Sequence, residues 1–192
     1  MTLTAAEQAA RAALRARQGA GARYDAPNAP HEDLLLARRG NAFFARKLNE
    51  LSDEALFAPS LRDGWSRAHL VAHVSYAARR FALLVEAVRS GARPVVPCGA
   101  AFEAEVARGA TLPARALRSL YHHATVHLDV EWRDLPDAGW EAEISLPDGG
   151  VVTARAMPQL RARLLWHSAV RLGNGARRGE LPAVLRGSGD PL

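Results

Sequence analysis

Two histidines one helical turn apart are the residues of this sequence whose spacing first suggests chemistry. The stretch "GWSRAHLVAH" spans residues 64–73 and places His69 and His73 four positions apart. On a helix, residues four apart lie on the same face. Imidazole nitrogens bind zinc, and they also exchange protons near neutral pH. The spacing alone leaves three interpretations open: half of a metal site, a metal site that has been lost, or a helix that happens to carry two imidazoles.

The chain has seven histidines, and a second pair repeats this spacing. His123 and His127 fall in a predicted helix of their own, and His167 falls in the last long helix. A zinc site needs three or four ligands at ~2.0–2.2 Å, so neither pair is sufficient alone. For His123 and His127 we favour a structural role through hydrogen bonds.

Four long amphipathic segments must position these side chains. Their apolar stripes predict helices over about residues 31–51, 67–90, 113–133 and 157–172. Ser66 is the expected N-cap of the second helix, and Gly173 is the expected stop of the fourth. Shorter helices are predicted after Ser52 and over residues 101–108. Asn41 interrupts the apolar stripe of the first helix.

The segment "EAEISLPDGGVVTARA" alternates in two runs around Asp148-Gly149-Gly150, which predicts a β-hairpin between the third and fourth long helices. The predicted fold is therefore all-α: a four-helix bundle with one hairpin before the last helix. We expect a helical extension at residues 1–30, the bundle at 31–173, and a loosely packed tail at 174–192. The residues expected to be largely buried are Trp65, Phe81, Leu84, Val126, Trp132, Leu165 and Trp166.

The composition argues against several classes of protein. The 192 residues carry a net charge of +5, and Lys47 is the only lysine. The arginines are scattered and not clustered with aromatic residues, unlike a nucleic-acid-binding surface. No apolar run reaches the ~18 residues of a membrane span, and a single cysteine forms no intrachain disulfide. We expect a cytoplasmic monomer or homodimer that binds a small, anionic molecule and neither nucleic acid nor membrane.

Three longer stretches carry a family resemblance: "LNELSDEALFAPSLRDGWSRAHLVAHVSYAARRFALLVEAVRSG", "GATLPARALRSLYHHATVHLDVEWRDLP" and "MPQLRARLLWHSAVRL". Together they resemble the mycothiol-dependent maleylpyruvate isomerase family, whose members are DinB-like four-helix bundles. The resemblance covers about residues 34–172, and "PSLRDGWSRAHLVAH" is its most specific part. It implies the same bundle, and in its usual form it implies a zinc ion and a low-molecular-weight thiol.

The resemblance also assigns zinc ligands, and this chain departs from them. The last histidine of "GWSRAHLVAH" is a family ligand, which is His73 here. The other two ligands form a Glu-x-x-x-His pattern on the fourth helix, and the aligned residues here are Leu164 and Ser168. His167 falls one residue too early, which is ~100° around a helix.

Further departures follow from the same alignment. A family Asn falls at Ala77, and a family Arg that would help hold a substrate carboxylate falls at Phe102. The chain ends about where the small C-terminal domain of the family would begin, so we expect that lid to be missing. One histidine does not hold zinc usefully against water. We therefore predict a lost metal site and no cofactor.

The remaining polar residues are assigned roles on this basis. The candidate catalytic residues are His73, His69, Ser168 and His167, with His73 as a neutral acid or base and Ser168 as its hydrogen-bond partner. The candidate substrate-binding residues are Arg163, Tyr76 and Cys98. The planar fork of Arg163 would suit a carboxylate.

The leading hypothesis is a repurposed, metal-independent member of the family that isomerises or rearranges a small anionic metabolite by acid/base chemistry. One alternative is a conventional zinc- and thiol-dependent isomerase in which His167 supplies a ligand from a shifted register. A second is a non-catalytic bundle that binds a small molecule or a partner. A third is a thiol-conjugating transferase that uses the same scaffold.

Overall fold

The computed structural model describes residues 25–92, 94–146 and 149–187, together with Thr4, Ala6 and Ala9. Most of the predicted N-terminal helical extension, and Asp148 of the hairpin turn, lie outside the described residues. In chain order the elements are α1 (His31–Asn49), α2 (Arg67–Ser90), α3 (Gly99–Gly109), α4 (Ala114–Asp134), β1 (Glu143–Ser145), β2 (Val151–Thr153), α5 (Met157–Arg171) and α6 (Ala183–Arg186). Short 3-10 turns span Ala55–Phe57, Asp137–Glu141, Ala154–Ala156 and Arg178–Glu180.

The four long helices pack as two main pairs. Helix α1 lies along α5, α2 lies along α4, and the shorter α3 packs on the side of α2. Helix α2 also contacts α5, which joins the two pairs into one bundle. The strands β1 and β2 are antiparallel, with Ile144 opposite Val152, and they precede α5 as predicted. The predicted fold class, a four-helix bundle with one hairpin, is confirmed.

The helix ends follow the capping residues of the sequence. The Ser66 hydroxyl accepts a hydrogen bond from the backbone N–H of His69 at 3.3 Å and so caps α2. Gly91 ends α2 and Gly173 follows α5, with φ angles of 70° and 63°, in the left-handed region that favours glycine. The Ser52 hydroxyl accepts from the N–H of Ala55 at 3.1 Å, so the predicted short helix is a single 3-10 turn.

Most of the expected core is buried, with one clear error. Leu84, Trp132, Leu165 and Trp166 are buried, whereas Trp65 and Phe81 are only partly buried against the core. Val126 was expected in the core, but its side chain is 47% exposed. The buried face of α4 follows the helical spacing of Leu117, Tyr121, Ala124 and Leu128, and position 126 lies off that face.

Asn41, which interrupts the apolar stripe of α1, connects α1 to α4. Its side-chain Oδ1 accepts hydrogen bonds from the Tyr121 hydroxyl at 2.6 Å and from the Thr125 hydroxyl at 3.2 Å. The polar residue is therefore tolerated in the stripe because it is hydrogen-bonded.

The segment after α5 packs more closely than predicted. Ala176, Leu181 and Leu185 are buried, so the described part of the tail, up to residue 187, is not loose. Asn174 donates from Nδ2 to the carbonyl of Lys47 at 3.1 Å, which ties the segment to the end of α1. The prediction was wrong because three spaced apolar residues are enough to anchor a short segment to an existing core.

Over the described residues, no helix combines the length and the apolar character needed to cross a bilayer.

Candidate functional site

A pocket of about 500 Å³ opens beside the start of α2, and we call it the His73 pocket. Its walls come from the loop before α2, from the first turns of α2 and from α3. The lining residues are Arg62, Gly64, Trp65, His69, His73, Phe102, Glu103, Val106 and Ala107. Arg67, the first residue of α2, ties the start of this helix to the bundle, because its guanidinium donates to the carbonyl oxygens of Leu172 at 2.7 Å and Ala55 at 2.9 Å.

The imidazole of His73 lies between two aromatic rings. Its centroid is 5.4 Å from that of Trp65 and 5.4 Å from that of Phe102, and both contacts are edge-on. Burial, together with the positive charges of Arg62 and Arg161, lowers the pKa of His73 to about 4. The imidazole is therefore neutral at pH 7, and its buried Nδ1 has no hydrogen-bond partner among the described residues.

His69 shares the pocket with His73 and is held by the helix cap. Its Nδ1 lies 2.8 Å from the Ser66 hydroxyl, the same oxygen that receives the backbone N–H of His69. The sequence correctly predicts that the two histidines share one helix face, and the structure brings both to one pocket.

Two arginines that the sequence reasoning missed stack on the aromatic walls. The Arg62 guanidinium carbon lies 3.6 Å from the ring centroid of Trp65, and that of Arg80 lies 4.3 Å from that of Phe102. Arg80 follows His73 by seven residues, which is two helical turns, so helical spacing was a signal for it. Position 102, where the family resemblance implies an arginine, carries Phe102, and the Arg80 guanidinium lies over that ring.

Tyr76 and Cys98 do not line the His73 pocket. Tyr76 packs on α3 so closely that a Cβ placed on Gly109 would lie 2.5 Å from its ring. Cys98 is exposed, directly precedes α3, and lines a separate pocket that includes Ile144 of β1. Helix α3 begins at Gly99, two residues earlier than predicted.

The candidate residues on α5 are buried and lie outside the pocket lining. Leu164 is 8% exposed and Ser168 is fully buried. The Ser168 hydroxyl makes no hydrogen bond to a described residue, so the predicted Ser168–His73 hydrogen bond is wrong. His167 is 4% exposed and Arg163 is half-buried, and neither lines the His73 pocket.

The side chains at the expected ligand positions do not form a zinc donor set. Of the three aligned residues, His73, Leu164 and Ser168, one has an imidazole and two lack a usual zinc ligand. Within residues 25–92, 94–146 and 149–187, no three His, Cys, Asp or Glu side chains come together as ligands. His167 therefore does not complete a three-donor group among these residues.

The three histidines of α4, His122, His123 and His127, lie on the outside of that helix. His122 and His123 are exposed, and their rings are 5.8 Å apart. The His127 Nε2 lies 3.8 Å from the carboxylate of Glu131, which is buried and accepts from Arg89 of α2 at 3.0 Å. The Glu131–Arg89 pair links α2 to α4.

Known proteins similar to this chain agree with the helical bundle. Residues 37–167 match the family model described as the mycothiol maleylpyruvate isomerase N-terminal domain. Among proteins with curated descriptions, none matches the chain significantly.

Two similar solved structures are a mycothiol-dependent maleylpyruvate isomerase and a histidine-to-alanine mutant of it. Each superposes with a TM-score of 0.78 at 34% identity over 81% of this chain. The chain spans 65% of the length of each of these structures. Because the family model covers more than half of the sequence, the chain belongs to the mycothiol maleylpyruvate isomerase family through the N-terminal domain of that family.

Proposed function

We propose that the His73 pocket binds a small organic anion and that His73 moves a proton on it without a metal ion. The observation that carries the proposal is a neutral, desolvated imidazole enclosed by aromatic rings, with arginine guanidiniums stacked on those rings. A neutral imidazole is the form that accepts a proton.

The walls of the pocket define the class of ligand. Arg62 lines the pocket, and the charges of both Arg62 and Arg80 act on His73 to lower its pKa. Trp65 and Phe102 offer flat apolar surfaces. A small carboxylate with a planar, unsaturated body would match both features, and maleylpyruvate, after which the similar isomerase is named, has this chemistry.

Binding of the anion would prepare His73 to act as a base. With a pKa of about 4 the free protein holds a weakly basic imidazole. A carboxylate placed beside it would offset the arginine charges and favour the imidazolium, which raises the pKa. His73 would then remove a proton from the carbon next to the substrate carbonyl, giving an enolate. The imidazolium would return the proton to that carbon or, where an adjacent double bond extends the enolate, to the far carbon of that double bond, which completes an isomerisation.

The metal-independent form of this proposal is supported by the side chains on α5. Leu164 coordinates nothing, and the Ser168 hydroxyl is not a usual zinc ligand. The proton transfer described above balances with the imidazole and the substrate alone, so it requires neither zinc nor a thiol.

Nitrogen NMR of the His73 ring tests the proposal with maleate as the probe. We expect maleate to raise the pKa of His73 from about 4 by at least one pH unit, because a bound anion stabilises the imidazolium. The effect should be weakened in Arg62→Gln and retained in His123→Gln, a variant of an exposed histidine outside the pocket. An unchanged His73 pKa at saturating maleate contradicts the proposal.

Binding without turnover is the second candidate function. It is favoured by one observation: the buried Nδ1 of His73 has no partner among the described residues to orient the ring, as a catalytic histidine usually has. Maleylpyruvate incubated in D2O separates the two. A catalyst incorporates deuterium next to the carbonyl faster than buffer and loses this in His73→Gln, whereas a binding module leaves the buffer rate unchanged.

A further inference from the structure

A second cavity, of about 330 Å³, lies between α1, α4 and α5, and we call it the α1–α4 groove. It shares no lining residue with the His73 pocket. Its apolar lining comes from Ala37, Val126, Leu128, Val130, Trp132 and Leu165, and its polar lining from Arg38, Asn41, Thr125, Asp129, Arg133 and Arg161. A cavity of this size suits a small metabolite.

Arg161 lies at the buried part of this groove with an incomplete set of partners. The residue is 2% exposed, and its Nη1 donates to the carbonyl of Val74 at 2.7 Å. Its Nη2 has no hydrogen-bond partner among the described residues, and no described carboxylate forms an ion pair with it. Burial lowers its pKa to about 10, so the guanidinium is still charged at pH 7. Buried charges are normally paired, which makes this arrangement unusual.

One further hydrogen-bond donor of the described lining residues lacks an acceptor. The indole Nε1 of Trp132 is buried and has no partner among the described residues. Asn41 uses its Oδ1 to accept from Tyr121 and Thr125, which fixes that end of the amide. A buried donor without an acceptor costs about 1–3 kcal/mol, so these two donors beside one groove favour a ligand that carries acceptor oxygens.

The other charges of the lining are neutralised by neighbours. Arg38 donates to Asp129 at 2.8 Å and also pairs with Asp25. Arg133 pairs with Asp134 at 3.3 Å. Among the described lining residues, Arg161 is therefore the charge that lacks a counter-charge, and the groove has room for one negative group.

We propose that the α1–α4 groove binds a small carboxylate molecule, with the carboxylate on Arg161 and Trp132 and the apolar body against the aliphatic lining. A carboxylate offers planar, acceptor-only oxygens that match the guanidinium fork and the indole N–H. The proposal does not rest on the function proposed for the His73 pocket, because the two cavities share no lining residue, although the charge of Arg161 also lowers the pKa of His73.

The four tryptophan indole N–H signals in a proton–nitrogen NMR spectrum test this directly, with benzoate as the probe. We expect benzoate to shift the Trp132 signal, assigned by its loss in Trp132→Phe, while Trp65 of the His73 pocket stays in place. Benzamide, which has the same ring without the negative charge, should bind at least tenfold more weakly.

Variants sharpen the test. Calorimetry should show weaker benzoate binding in both variants. We expect a loss of at least tenfold in Arg161→Met and of about threefold in Trp132→Phe. Arg118→Gln is the matched control, because Arg118 also donates to backbone carbonyls, of Leu48 and Leu51, but lies outside the groove. The Trp132→Phe comparison stands even where Arg161→Met does not fold.

Three results would overturn the proposal: a Trp132 signal that does not move at saturating benzoate, a shift of Trp65 in place of Trp132, or equal affinity for benzoate and benzamide. Inorganic phosphate serves as a second anionic probe in the same NMR experiment. Phosphate that moves Trp132 where benzoate does not would also reject a carboxylate site.

Discussion

Helices α2 and α5 carry the three positions that the family resemblance assigns to zinc ligands, and the two helices differ in the residues found there. Helix α2 keeps its Ser66 cap, the Trp65 beside it and the histidine at the ligand position, His73. Helix α5 carries Leu164 and Ser168 at its two ligand positions. The packing of α5 is nevertheless intact.

The contacts of Trp166 show how α5 is held. Its ring stacks on Phe43 with centroids 4.8 Å apart, and its indole Nε1 donates to the carbonyl of Leu36 at 3.2 Å. Gly40 makes room for this ring, since a Cβ there would lie 2.8 Å from it. The packing of α5 is therefore intact although the resemblance assigns Leu164 and Ser168 to ligand positions.

Replacing Trp166 with alanine tests the packing face and should have the largest effect. The ring is 8% exposed, and its loss leaves a cavity between α1 and α5. We expect the free energy of unfolding to fall by ~3–5 kcal/mol, as for other buried aromatic residues. Urea unfolding measures this. A loss below about 1 kcal/mol would show that α5 is not anchored through this side chain.

The double substitution Leu164→Glu and Ser168→His tests the ligand face. In the metal-free protein a carboxylate at the buried position 164 should cost ~2–3 kcal/mol. If α5 has lost only its donors, zinc should bind one per chain and restore this stability. Thermal unfolding with and without zinc measures both effects. Leu164→Gln with Ser168→Ala is the control, and no zinc gain in the double variant would mean that these positions do not face His73.

Lowering the pH should destabilise the folded protein, because His73 is buried as a neutral imidazole. Its pKa is about 4 in the folded protein and ~6.5 in the unfolded chain, so the unfolded state takes up the proton first as the pH falls. The stability is therefore complete above pH ~6.5 and is lost progressively down to about pH 4. Between pH 7 and pH 5 we expect a loss of roughly 2 kcal/mol from this residue.

Urea unfolding of the wild type and His73→Gln at the two pH values isolates that contribution. The variant should lose roughly 2 kcal/mol less than the wild type, and His123→Gln should behave like the wild type. An identical pH dependence in His73→Gln would show that His73 is not buried as a neutral group.

Removing the Ser66 cap of α2 should have the smallest effect on the free energy of unfolding. Ser66→Ala removes the acceptor for the N–H of His69 and the hydroxyl beside its ring, and should cost about 1 kcal/mol. Ser66→Asp, which keeps a capping oxygen, should recover most of that loss in the same unfolding measurement. An alanine variant as stable as the wild type would mean that the start of α2 is fixed by other contacts, such as those of Arg67.

The sequence predicts the scaffold well because its signals are local. The Ser66 cap, the glycine after α5 and the apolar stripes place the long helices to within a few residues. Residue Val126 and the segment after α5 were misjudged because burial there depends on which neighbours a face meets. Local patterns do not contain that information.

The site was harder to predict, because its walls come from separate elements. Arg62 precedes α2, and Phe102 belongs to α3. Arg80, two turns along α2 from His73, stacks on Phe102. The burial of Arg161 gave no sequence signal, since a single arginine in an arginine-rich chain is most often exposed. The pairing of Asn41 with Tyr121 and Thr125 likewise required the packing of α1 against α4.

Whether His73 acts on a small anion without zinc is decided by one combined measurement on untagged protein. Metal content and the rate of deuterium incorporation into maleylpyruvate are determined on the same sample before and after treatment with a chelator. We expect less than stoichiometric zinc and a rate that the chelator does not change but that His73→Gln abolishes. One zinc per chain, removed by the chelator together with the activity, would contradict metal-free catalysis by His73.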